Sequence, residues 1–445
     1  MGPTLALAER VAGTEFEQIP HDAREAAKQA LLDFVGVTVA GIDEPLSRIL
    51  CEQAQDEGGH PQAQLIGVAA RASTTQAALI NGSAGHAHDY DDVHTAMNGH
   101  PTVPVAPGVL ALSEHLSRTG KDLIGAFSAG VDTECVLGRY AGPAHYARGW
   151  HATGTLGSFG AAAAAAHLHR LSADDTARAL GIAGTQAAGL KSQFGTMCKP
   201  LHAGHAAATG VQAAALASRG FDSRTNILEV EQGFMATQAD SASEQRFGSA
   251  MAQAAYCQDI CFKYHAACYL THSSIEATSN LCASNAFDPH DIDSIEIRVN
   301  AGHFGVCNIA EPRTGLEAKF SLRFTAAMAL AGVDTSSIEI FTDELTRDPA
   351  LIAFRDKIRV TAHDQPNPDS IVTITTRSGD QFTDAVNVAV PMRDLDAQWA
   401  KLERKFHALV DHKLGRARAD ELLECVKTLD QHDDLGDFFS MLRVA

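Results

Sequence analysis

The chain has 445 residues, 45% of them hydrophobic and 20% charged, a globular profile with length enough for two or three domains. Its formal charge of −19 argues against a nucleic-acid partner or an anionic membrane surface, so an anionic substrate needs a local cationic pocket inside an acidic body. No apolar run approaches the roughly 18 residues of a membrane span, and nine scattered cysteines fit a reducing compartment better than a disulfide framework. The first residues lack the basic start and long apolar core of a signal peptide. Ala6 stands where a myristoylation signal wants Ser or Thr. The expectation is a cytoplasmic protein.

In chain order, Ala26, Ala27, Ala30, Leu31, Phe34, Val35 and Val37 recur at helical spacing between Pro20 and Gly41, and Pro45 to Asp56 reads as a further short helix. Ser73 can cap a helix through Ile80 that delivers the chain to His86. Helices follow over Val103 to His115, Lys121 to Leu137, the alanine-rich Gly157 to Leu168, Thr176 to Gly189 behind a capping box at Ser172–Asp175, and Ala203 to Arg219. The pattern changes near residue 290. Ser294–Asn300 and Lys357–His363 alternate with period two, and Ile371–Asp384 reads as a hairpin turning at Ser378-Gly-Asp380. Ser321 to Leu330 and Pro349 to Phe354 are helical between them, and the tail, Trp399 to Val410 and Ala417 to Leu429, is helical again. The fold class expected is a multidomain α and α+β protein. Residues 1–266 with 397–445 form a large, discontinuous all-helical domain, and 267–396 a smaller α+β domain.

His86-Ala-His-Asp-Tyr-Asp-Asp-Val-His94, followed by His100-Pro101, packs three histidines and three aspartates into nine residues. Such density does not belong in an apolar core and points to chemistry. Metal binding is one reading, because His86-x-His88-x-x-Asp91 has the HxH of metallohydrolases. Here, however, it follows a helix and not a strand. Cys257-x3-Cys261-x3-His265-x2-Cys268-x3-His272 is a second metal candidate, but it lacks the paired CxxC knuckles of structural zinc sites. No Gly-x-Ser-x-Gly elbow and no phosphate-binding glycine loop is present. Basic and acid–base residues recur in three further clusters: Tyr146, Arg148 and His151; Lys199 and His202; Lys263, Cys268 and His272. Lys199 precedes Pro200 and is expected just before a helix amino terminus, a natural anion site. Together these describe a cationic pocket that binds a polycarboxylate and moves a proton.

His86–His94 with His100-Pro101, Gly149-Trp-His-Ala-Thr-Gly-Thr-Leu-Gly157, Lys199-Pro-Leu-His-Ala-Gly204 and Lys263–His272 follow in the order in which the chain resembles the MmgE/PrpD family. The resemblance implies a cofactor-free, metal-free, homodimeric enzyme acting on a small di- or tricarboxylate: a 2-methylcitrate dehydratase, a cis-aconitate decarboxylase or an iminodisuccinate epimerase. It also implies a helical domain plus a smaller α+β domain, with Asp92, His94, His100, His151, Lys199 and Lys263 at a cleft between them. Cys268 stands where the decarboxylase pattern has histidine, and Phe324 where it has tyrosine. Asp89-Tyr-Asp-Asp-Val differs from the Asp-x-Asn-Asp-Thr motif of the dehydratases, and the chain is short for one. The resemblance is therefore closest to the epimerase branch. Epimerisation needs an acid–base group on each face of the reacting carbon. Tyr146 and Lys199 are the expected pair, with His151 in reserve and Lys263 also catalytic. Asp92, His94, His100, Arg148, His202 and Cys268 are expected to hold substrate, Asp92 and His94 forming the working end of the central motif. His86 and His88 are expected to stand behind it or at the helix end.

Overall fold

Two units organise the chain in the computed structural model, Met1–Phe262 with Met392–Ala445 and Lys263–Pro391. Residues 1–253, 255–284, 287–364 and 369–444 are described. The first unit opens with helices α1 (Pro3–Ala12), α2 (His21–Gly41) and α3 (Pro45–Glu57), followed by a two-residue antiparallel ladder, β1 (Ala63–Gln64) with β2 (Arg71–Ala72). This ladder is the exception to the all-helical expectation for this unit. Helix α4 (Thr74–Gly85) begins with a reciprocal capping box between Ser73 and Gln76, as the sequence predicts. It ends at His86, so the polar motif occupies the loop between α4 and α5 (Thr102–His115).

Next come α6 (Gly120–Ala141), the short α7 (Pro143–Ala147), α8 (Ala152–Leu168), α9 (Ala173–Gly184), α10 (Cys198–Ala217), α11 (Phe234–Gln238) and α12 (Glu244–Ala252). Helix α10 packs on both α8 and α4, and α8 on α5 and α6. Small residues permit this. A Cβ on Gly204 would lie 2.1 Å from the Leu79 carbonyl, and one on Gly82 would lie 2.9 Å from the Gly204 Cα. The close approach of α4 and α10 brings the loop after His86 beside the start of α10. Helix α10 begins five residues before the expected Ala203, which puts Lys199 inside its first turn instead of ahead of it. Pro200 does not prevent this, because first-turn amides have no intrahelical acceptor to lose.

The second unit carries α13 (Tyr269–Ala283), β3 (Ile292–Asn300), α14 (Phe304–Cys307), α15 (Gly315–Ala318), α16 (Leu322–Leu330), α17 (Pro349–Arg355), β4 (Ile358–His363), β5 (Ser370–Thr376) and β6 (Gln381–Val386). The four strands lie in the order β4-β3-β5-β6, with β3 parallel to β4 and the other pairs antiparallel. Alternate residues of β5 are buried, the period-two signature read from the sequence. Ile295, Ile297, Val299, Val372 and Ile374 meet Leu322, Ala326 and Leu330 of α16 in one core. A large helical body and a smaller α+β body are thus both present.

The tail returns to the first unit as α18 (Leu395–Leu414), α19 (Arg416–Lys427) and α20 (Gly436–Met441), with α18 packed along α2. None of the described helices is long and apolar enough to cross a membrane.

Candidate active site

The α4–α5 loop folds its side chains around one buried carboxylate. Asp91 accepts from His86 Nδ1 at 2.8 Å on one oxygen, and His100 Nδ1 stands 2.9 Å from the other. Burial pushes the Asp91 carboxyl up. The neighbouring imidazoles of His100 and His86 outweigh burial and hold the group well below the usual range. His100 Nδ1 also lies 2.9 Å from the Asp92 carbonyl, which can only accept, so Nδ1 carries a hydrogen and Nε2 is turned toward Asp89. That Nε2 lies 3.5 Å from Asp89. His86 spends its Nδ1 hydrogen on Asp91 and leaves a buried Nε2 with no hydrogen-bond partner. Burial lowers its pKa to about 4, which keeps the ring neutral at physiological pH.

Asp89 is exposed and adopts φ +53°, a left-handed conformation uncommon outside glycine. Its carboxylate pairs with Lys199 Nζ at 2.7 Å, in the first turn of α10. Tyr146, in α7, has its phenol pKa raised by burial and then by Asp89. Lys191 Nζ lies 3.6 Å from the Tyr146 ring centroid and donates to the Tyr146 carbonyl at 3.1 Å. Backbone pairing holds this arrangement: Lys191 N–H donates to Gly149 and His151 N–H to Gly189.

His151, immediately before α8, stacks on His86 with ring centroids 6.0 Å apart, and its Nδ1 lies 3.0 Å from His202 Nδ1. Burial, then the neighbouring His86 and His100, lower the His151 pKa to about 2, and burial lowers His202 as well. Phe194 closes against His151 edge-on. The result is a set of neutral imidazoles beside an ammonium–carboxylate pair, suited to proton transfer and to holding an anionic substrate.

Five of the residues chosen from sequence therefore assemble here: Tyr146, His151, Lys199, His202 and His100. Asp92 does not join them. It is buried and accepts from the Thr102 amide and hydroxyl at the start of α5, with its carboxyl raised well above the usual range, chiefly by burial. His94 is buried too; its Nδ1 accepts from the Ala96 amide, so Nε2 donates to the Tyr256 carbonyl. The side chains that gather with Lys199 and His100 come from the other half of the motif, Asp89 and Asp91 with His86. Arg148 points to a solvent-exposed ion pair with Asp240 at 2.7 Å. In the smaller unit, Lys263 is buried with its Nζ 6.0 Å from the Tyr269 ring, and Cys268 precedes α13 and packs against the sheet core. Phe324 is fully buried.

The sequence does not single out Asp89 or Lys191, and it offers His86 and Asp91 only as metal ligands or supporting residues, because composition shows that a nine-residue motif is reactive and not which side chains converge. Asp89 and Asp91 alternate with Tyr90 and Asp92, and that is the available signal. His86, Asp89, Asp91 and His100 have ligand atoms within 4.8 Å of one another, a set able to hold a divalent ion. Asp89 is already neutralised by Lys199, so the ammonium supplies the positive charge that a metal would bring. Among the described residues, the Cys257–His272 series does not gather into such a group.

Comparison with known proteins places the chain among relatives along its whole length. It is 27% identical to the human cis-aconitate decarboxylase over 99% of this chain and 94% of that protein. It is 24% identical to the cis-aconitate decarboxylase of Aspergillus terreus over 99% and 96%. A cis-aconitate decarboxylase-like protein, oryM, of Aspergillus oryzae is 31% identical over 62% and 61%. Residues 5–245 match the MmgE/PrpD N-terminal domain and residues 265–431 the MmgE/PrpD C-terminal domain. With both domain models matched in order, the chain belongs to the MmgE/PrpD family.

Proposed function

We propose that the chain transfers a proton at a carbon α to a carboxylate of a small di- or tricarboxylate or amino-dicarboxylate, without metal or organic cofactor, as an epimerase of iminodisuccinate type. The observation that carries this reading is the Lys199–Asp89 pair set among neutral imidazoles, with the Tyr146 phenol under the influence of the same carboxylate. An α-carbon next to a carboxylate is a weak acid, so the enolate formed on deprotonation must meet fixed positive charge and N–H donors. Lys199 and Lys191 provide charge, and the Nδ1–H groups of His86 and His100 are already committed to Asp91 and the Asp92 carbonyl, which orients the rings. The Asp89 carboxylate, paired with the Lys199 ammonium, accepts the α-proton on one face, and the raised Tyr146 phenol, which keeps its proton at neutral pH, delivers one to the other. Lys263 stays in the proposed catalytic set on the strength of its family motif. A homodimer is proposed on the same ground.

A second reading, decarboxylation or dehydration, is favoured by the relatives, which are named cis-aconitate decarboxylases. Against it stand Phe324 and Cys268, which offer neither the hydroxyl nor the imidazole of that pattern. A panel of citrate-, aconitate- and aspartate-derived acids in deuterated buffer, followed by proton NMR with and without chelator, separates the readings. Deuterium gain without loss of mass supports epimerisation. A new alkene or released carbon dioxide establishes the lyase. Loss of activity on chelation overturns the metal-free mechanism, and no change in any substrate overturns the enzymatic proposal.

A further inference from the structure

Lys405, in α18 of the tail, is 1% exposed. Its ammonium makes three contacts. It pairs with Asp33 of α2 at 2.6 Å, donates to the Tyr90 carbonyl at 2.7 Å, and lies 4.0 Å from the Tyr90 ring centroid. Asp33 is 4% and Tyr90 2% exposed. Tyr90 sits between Asp89 and Asp91, so a side chain 315 positions downstream grips the peptide at the centre of the reactive loop.

A buried ion pair is an uneconomical way to stabilise a fold, since well-packed apolar residues of similar volume serve as well or better. Its value here is geometric. Asp89 is in the left-handed region, and such a conformation in a non-glycine residue persists only where its surroundings over-determine it. The Tyr90 carbonyl belongs to the peptide leading into Asp91, and the Tyr90 ring is held by the same ammonium. Fixing both leaves the carboxylates of Asp89 and Asp91 one way to point.

We infer that Lys405, with Asp33 as its counter-ion, is a positioning residue that clamps Tyr90 and thereby seats Asp89 on Lys199 and Asp91 between His86 and His100. This rests on reading the His86–Lys199 cluster as the reaction site.

The test is the paired apolar replacement Asp33→Leu/Lys405→Met, which removes both charges and strands neither. Its thermal midpoint is expected to stay within a few degrees of the parent, while kcat for substrate deuteration falls at least tenfold with KM changed less than threefold. A second readout needs no substrate: long-range proton–nitrogen spectra of protein labelled in histidine, where the Nδ1–H form of His100 gives way to a tautomer mixture. Should the paired variant not fold, Lys405→Gln, whose amide is too short for the full grip, replaces it in both measurements. Parental turnover with a parental His100 signal overturns the inference and makes Lys405 a fold residue only. If the parent turns over no polycarboxylate, the proposed function fails, and the histidine spectra still decide the clamp.

Discussion

Lys199 and Asp89 meet at 2.7 Å although they lie in separate elements, one in the first turn of α10 and the other in a left-handed turn after α4. The pair sets an ammonium against a carboxylate close to His86 and His151, two rings that burial keeps neutral. Asp89→Asn and Lys199→Met are each expected to lower turnover by roughly 10²–10⁴-fold, the range for loss of a positioned acid or base. Asp89 is more than half exposed, so thermal midpoints should barely move. A variant that keeps a third of parental turnover removes its residue from the mechanism.

Tyr146→Phe separates the two faces of the reaction. If the phenol works on one face and the Lys199–Asp89 pair on the other, interconversion of stereoisomers should vanish while deuterium still washes into one isomer. Chiral chromatography alongside NMR reads both quantities. Unchanged values for both dismiss Tyr146 from proton transfer.

Arg148 gives a contrary expectation to the one its motif suggested. Its guanidinium is spent on Asp240 in an exposed pair, the side chains being 45% and 69% accessible, and exposed pairs contribute little. Arg148→Ala should change KM less than threefold and leave folding intact. A tenfold rise in KM would show that the side chain leaves Asp240 to reach substrate.

Acid should destabilise the fold before it protonates ordinary carboxylates. Burial brings His86 and His94 to about 4 in the folded state, from an ordinary 6.5. The unfolded chain therefore takes up protons between pH 6.5 and 4 that the folded chain refuses, and stability falls as pH drops through that window. At 1.36 kcal/mol per unit, each ring accounts for roughly 3 kcal/mol at the acid end. Burial depresses His145, His151 and His272 in the same sense. Asp92, Asp132 and Glu134, whose carboxyls burial lifts, act in the opposite sense, and the five rings outnumber these three carboxyls. Urea midpoints measured from pH 7 to 4.5 should decline steadily, and a flat profile contradicts the burial of these rings.

Sequence alone determined the class of the protein. Helical spacing of alanine and leucine, the Ser73 cap, the period-two strands after residue 290 and the order of the polar motifs are local properties, and local rules are enough to read them. The family followed from the same motifs. Tertiary structure decided which polar residues meet. Whether Asp89 or Asp92 faces Lys199 depends on a left-handed residue and on a lysine in the tail gripping the peptide between them, and no spacing rule carries that information. His94 and Arg148 look like their polar neighbours in sequence, yet one closes a buried turn on Tyr256 and the other pairs with Asp240 at the surface. The physical reason is that proton transfer depends on distances of about 3 Å between residues far apart in the chain, and only the packing of α4 against α10 sets them.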